Sequence, residues 1–200
     1  MRFLLLLLPL IAGTAHANGT CFDLSRPFTA PPRASLPLTP GDPDASAAGA
    51  NGEAVWAQRR GIVKQPLAKL RSFLEDPRHF KSSRVDEMTL TPRPAGALLA
   101  HHDVHSLVRP FPLVTVEWTD EWATSLLAGT PSRPEAVLIA YQKRAGTSHI
   151  TRWCGTVLLT RVDDTTTDVA QFEEAIITGR SHDEMKDDLA GMLERLRTLP

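Results

Sequence analysis

The chain has 200 residues, 22 of them basic and 23 acidic, with a formal net charge of −1. That balance gives no long-range field for nucleic acid or an anionic membrane surface, so neither is expected as a partner. At 42% hydrophobic residues there is material for one domain with a real core, and the cysteines are only Cys21 and Cys154.

Arg2 precedes the apolar run 3–12, and Ala15-His16-Ala17 has the small-x-small pattern that signal peptidase accepts. The run is too short to span a bilayer, so residues 1–17 read as a signal peptide cleaved after Ala17, and the protein as secreted or periplasmic. No later stretch approaches the ~18 consecutive apolar residues of a spanning helix, so no stable membrane insertion is expected after cleavage. Asn18-Gly19-Thr20 lacks the apolar residues that precede a lipid-modified cysteine. Export favours a Cys21–Cys154 disulfide, with two free thiols or an intermolecular bond as alternatives.

Residues 18–52 form a Pro/Ala-rich segment, including Ala30-Pro31-Pro32 and Ala45-Ser46-Ala47-Ala48-Gly49-Ala50. Such a stretch buries little apolar area, and the expectation is an irregular or disordered linker. Residues 53–200 then form a single domain. Its first strand is predicted over 54–63. Pro66 suits the first helical position, and Leu67, Leu70, Phe73 and Leu74 recur at helical spacing. Asp76-Pro77 restarts the chain as the cap and first residue of a second short helix through about Phe80.

Six β-rich runs follow, over 84–91, 98–108, 113–126, 136–144, 150–162 and 165–177, separated by Pro- and Gly-containing turns and by Asp163-Asp164. Short separators imply antiparallel neighbours. Ser181-His182-Asp183-Glu184 is a capping box that opens a terminal helix. Met185, Leu189, Met192, Leu193, Leu196 and Leu199 form its apolar stripe.

This element order resembles that of the START-like or SRPBCC superfamily, the helix-grip fold. Two stretches carry the resemblance: Lys64-Gln65-Pro66-Leu67 through Asp76-Pro77, and residues 155–166 leading to the helix over 181–199. The fold class it implies is α+β: a curved antiparallel sheet of about seven strands, two short helices after the first strand, and a long C-terminal helix over the concave face. It also implies a hydrophobic cavity between that face and the helix, used by relatives for lipids, sterols, quinones or polyketides, and in some branches for cyclisation or dehydration.

The strand over 113–126 alternates, placing Val114, Val116, Trp118 and Trp122 on one face, with Asp120 among them. That face is expected to look inward against Met185, Leu189, Met192 and Leu193, and with Phe172 to line the cavity or simply fill the core. Asp120, and Glu174 sharing parity with Ala170, Phe172 and Ile176, are the carboxylates that an acid–base role would use. The bland reading of both is a solvated or ion-paired strand end.

His101, Asp103 and His105 share a strand face, but the outer two stand about 13 Å apart, too far for both to join Asp103 on one ion. No metal site or cofactor is assigned. Ser181, His182 and Asp183 point in different directions from a helix start, which rules out a triad. The leading expectation is an exported, soluble carrier of a hydrophobic small molecule such as a lipid or isoprenoid. A cyclase- or dehydratase-like enzyme using a cavity carboxylate is the alternative. A filled-core interaction module that docks through its Pro-rich segment is a third.

Overall fold

A computed structural model describes residues 21–39, 42, 44–80, 85–111 and 114–200, except the side chains of Phe80, Pro110, Phe111 and Val114. The signal peptide and cleavage site expected from sequence lie outside the described residues.

One antiparallel sheet of eight strands organises the chain, in the order β1-β2-β8-β7-β6-β5-β4-β3. The strands are β1 Asp44–Asn51, β2 Ala54–Val63, β3 Glu87–Pro92, β4 Ala100–Phe111, β5 Val114–Thr130, β6 Arg133–Gly146, β7 Ile150–Arg161 and β8 Thr167–Ile177. Helix α1, Leu67–Leu74, follows β2, and α2, His182–Arg197, closes the chain.

Two expectations are corrected. The sheet has eight strands where about seven were predicted, because Asp44–Asn51, inside the segment read as linker, pairs along its full length with β2. Alanine, serine and glycine give no β signal of their own; the pairing comes from the partner's backbone. A tight turn at Gly52, with φ 60°, connects the two strands. The helix pair is one α-helix and a four-residue 3-10 turn, Pro77–Phe80. Asp76 accepts from the Arg78 amide at 3.1 Å and starts that turn, but four residues carry too little apolar surface to extend it.

Helix α2 begins as its sequence requires: the Ser181 hydroxyl accepts from the Glu184 amide at 3.2 Å, and the Glu184 carboxylate accepts from the Ser181 amide at 2.9 Å. It lies chiefly across β2, with β1 and β8 beside it, and seats Met185 and Leu189 against Ala57 and Ala175. At Gly61 the helix comes close to the sheet: an added Cβ would stand 2.7 Å from Leu193. Leu67, Leu70 and Leu74 of α1 join Leu193 and Leu196 in a core with Val137, Ile139, Val157 and Leu159. Beneath the two helices, the face of the sheet they cover is thus mainly apolar.

The other face is covered by chain rather than helix. Residues 21–36 run across it as a strap, fixed at its start by a disulfide between Cys21 and Cys154. Gln142 accepts from the Cys21 and Phe22 amides and donates to the Phe22 carbonyl, all at 2.9 Å. Leu24 buries itself with Leu98, Ala123 and Ala140, and the Phe28 amide donates to Ser125 Oγ at 3.0 Å. Arg33 places its guanidinium 4.2 Å over the Phe172 ring and pairs with Glu174, and Arg60 donates to the Leu36 carbonyl.

Candidate functional site

The helix-bearing face carries an aromatic and carboxylate cluster at its centre. Strand β5 contributes Trp118, Asp120 and Trp122; β6, Tyr141 and Lys143; β7, Trp153; β8, Gln171 and Glu173; and β4, His102. Cross-strand register brings them together, with His102 opposite Trp122, Trp122 opposite Tyr141, and Gly155 between Tyr141 and Glu173. Tyr141 stacks on Trp122 at 4.5 Å between centroids and meets Trp153 edge-on at 6.2 Å. Trp118 and Trp153 adjoin at 6.1 Å.

Each carboxylate in the cluster takes one indole donor. Trp118 Nε1 donates to Asp120 Oδ2 at 2.9 Å, and Trp153 Nε1 donates to Glu173. Both acids are buried, and desolvation pushes each up to about 7; the Glu173 charge adds to the rise at Asp120, and nearby Lys143 and Arg180 oppose it at Asp120 and Glu173 respectively. Burial likewise holds the Tyr141 phenol well above its ordinary value and His102 below its own. Asp120 Oδ1, His102 Nε2 and both amide atoms of Gln171 are buried and find no hydrogen-bond partner among the described residues. A layer this polar, laid inside an apolar core, can hold a small polar head or exchange a proton at neutral pH.

Of the residues singled out from sequence, Trp118, Asp120 and Trp122 sit in this cluster. Met185, Leu189 and Leu193 are buried on α2, and Met192 is half-buried beside them. Val116 opposes Val108 on β4, outside the cluster, and the Val114 side chain lies outside the described residues. Phe172 and Glu174 depart from the expectation: they face the strap. Glu174 pairs there with Arg33 and Arg152, at 3.0 and 2.7 Å.

Glu173 is the carboxylate of β8 that faces the cluster. Alternation does not fix the parity of β8, because apolar residues stand on both sides, Val169 and Ala175 on one and Ala170, Phe172 and Ile176 on the other, as in a strand covered by helix on one face and strap on the other. Trp153, inward on the neighbouring strand and opposite Ala175, is the signal that fixes the correct parity.

Tyr141, Trp153, Glu173 and Gly155 therefore enter the site from the fold. His101 and Asp103 face away from it, where His101 and Arg93 meet Glu121, each at 2.8 Å, and Asp103 meets Arg93 and Arg144. Among the described residues no group of His, Cys, Asp or Glu is placed to hold a metal ion, and no helix is long and apolar enough to cross a membrane. A cavity of about 20 Å³ beneath the strap, between Leu36 and Phe172, has room for a water and no more.

No family model and no curated protein matches this sequence. Solved structures do. The lipid transfer and protein localization domain of human StarD13 is similar over 82% of this chain and 88% of its own, at 8% identity and a TM-score of 0.57. Human STARD10 is similar over 76% and 71%, at 9% identity and a TM-score of 0.52. A STAR-related lipid transfer protein from Xanthomonas axonopodis is similar over 78% and 98%, at 16% identity and a TM-score of 0.50. At such identities the likeness is one of fold. The chain has the START-like helix-grip fold, an α+β arrangement of a curved antiparallel sheet and a C-terminal helix.

Proposed function

We propose that this protein is exported and carries a hydrophobic small molecule, a lipid or isoprenoid, held between the helix-bearing face of the sheet and α2 without being turned over. The observation that carries the reading is the cluster itself. Four aromatic rings surround buried polar atoms that no described residue satisfies, the combination that a ligand with an apolar body and a polar end complements. Structures with this fold include proteins whose names state lipid transfer, which supports the same choice. Export is supported by the N-terminal sequence and by a disulfide, a bond that persists in oxidising compartments.

Native mass spectrometry on protein purified from an export-competent host, followed by organic extraction, tests this directly. A discrete adduct that extracts as a lipid and is lost from folded Trp118→Ala or Leu189→Asp variants is the expected result. A bare mass that stays bare after incubation with mixed lipids and quinones overturns it.

A second reading, cyclase- or dehydratase-like proton transfer, rests on Asp120, which has one oxygen without a partner among the described residues and a value near 7 that suits a group that gives and takes a proton. Glu173 replaces Glu174 as its companion. An activity with a bell-shaped pH profile that Asp120→Asn abolishes would favour it. The interaction-module reading is weakened, because residues 21–36 of its docking segment are engaged on the chain's own sheet.

A further inference from the structure

Two acids share the interior of the helix-bearing face, and neither has a cation. Asp120 is 5% exposed and Glu173 6%, and no ion pair reaches either among the described residues. The cations nearest them are turned to other groups. Lys143 lies toward Asp120 but donates its ammonium to the carbonyls of Thr147 and Ile150, at 2.9 and 2.5 Å. Arg180 lies toward Glu173 but pairs with Asp188 of α2. Each acid retains one indole N–H, an offset well short of what a buried carboxylate loses on leaving water.

A second observation is on Asp120 itself, whose Oδ1 is buried and finds no hydrogen-bond partner among the described residues. Gln171, two residues before Glu173 on the same face and 3% exposed, likewise finds no partner for either amide atom among the described residues. Two acids without an ion-pair partner among the described residues, one with an unpartnered oxygen, next to three aromatic rings, describe a head group by exclusion. An anion would meet two carboxylates. A neutral hydroxyl would satisfy Asp120 Oδ1 but, once the acids ionise, leave their charge uncompensated. A protonated amine supplies a donor to Asp120 Oδ1, gives both acids a counter-charge, and is attracted by indole and phenol faces.

We infer that the carried molecule is an amphiphile with a protonated amine, its ammonium seated between Asp120 and Glu173 against Trp118, Trp153 and Tyr141. The inference rests on the carrier reading above and specifies its ligand class. Burial keeps both acids protonated up to about pH 7, so an ammonium that enters below that pH expels a proton from the site as it binds.

The test is isothermal titration of the protein, purified from an export-competent host with its disulfide intact, with decylammonium, decanol and decanoate. At pH 8, decylammonium is expected to bind at least about tenfold more tightly than decanol, with decanoate weakest. In Asp120→Asn and Glu173→Gln, the ratio between decylammonium and decanol is expected to fall toward one. At pH 6, decylammonium binding in buffers of different ionisation enthalpy is expected to show proton release, and decanol binding none.

Decanol or decanoate binding as tightly as decylammonium would overturn the amine while leaving the carrier reading intact. Failure of all three probes, on protein that also gives a bare mass, would remove the carrier reading and the inference with it. Should the variants not fold, the discrimination among the three probes by the unaltered protein decides alone.

Discussion

The Tyr141 ring lies on the backbone of Gly155: a Cβ at Gly155 would stand 2.3 Å from both Cζ and Oη of the phenol. The two residues oppose each other on β6 and β7, and the absent side chain is what lets a bulky ring rest against the sheet between Trp122 and Trp153. Gly155→Ala is therefore an overpacking substitution at the centre of the site. It should destabilise the protein by about 1–3 kcal/mol and displace Tyr141 from its stack. A thermal melt checks the first, and the near-ultraviolet circular dichroism of the Trp122–Tyr141 pair the second. An unchanged melting temperature would mean that the ring does not sit where the register puts it.

Asp120 and Glu173 make stability depend on pH in a stated direction. Both values are raised, from 3.8 and 4.5 to about 7, so the folded chain keeps protons that the unfolded chain releases. Their contribution is fully present below about pH 4, declines as pH rises, and is lost above about pH 7. Other carboxylates act oppositely: Asp76, held low by Arg78, favours the fold as pH rises. The clean measurement is thus a difference. Urea midpoints of Asp120→Asn, minus those of the unaltered protein, should climb between pH 4 and 8 and then level off. A flat difference would remove the buried-acid account.

Reducing the disulfide should free the strap. Cys21 and Cys154 are 133 residues apart, a span for which the chain-entropy account gives about 4–5 kcal/mol. A Cys21→Ser, Cys154→Ser double variant should melt earlier and be cut by protease between residues 22 and 38, where the intact protein resists. Equal resistance in both would show that Gln142, Leu24 and Arg33 hold the strap without the covalent bond.

The cap of α2 bears on the same site, because Arg180 and Asp188 lie near Glu173. Ser181→Ala removes the acceptor for the Glu184 amide and should cost about 1 kcal/mol. Ser181→Asp, which restores an acceptor and adds favourable charge at a helix N-terminus, should recover it. A loss that Asp does not recover would point to a role for the hydroxyl beyond capping.

The sequence by itself determined the elements whose signals are local. The capping box and apolar stripe of α2, the alternation that turns Trp118, Asp120 and Trp122 to one side, and the opposite facing of Trp153 and Cys154 all follow from periods of 3.6 and 2 and from cap chemistry. With these in order, the helix-grip resemblance was legible too. Tertiary structure alone decided where a strand's two sides look once both are buried. Strand β8 carries apolar residues on both faces because α2 covers one and residues 21–36 cover the other, so alternation could not say that Glu173 rather than Glu174 faces inward. It also decided that Asp44–Asn51 is a strand, since its alanines and glycines pair only because β2 offers an open backbone edge. The strap and the buried acid share one physical cause: each is fixed by partners far away in sequence, and a local pattern carries no record of them; β1 instead pairs with its chain neighbour β2, but its alanines and glycines carry no alternation to announce it.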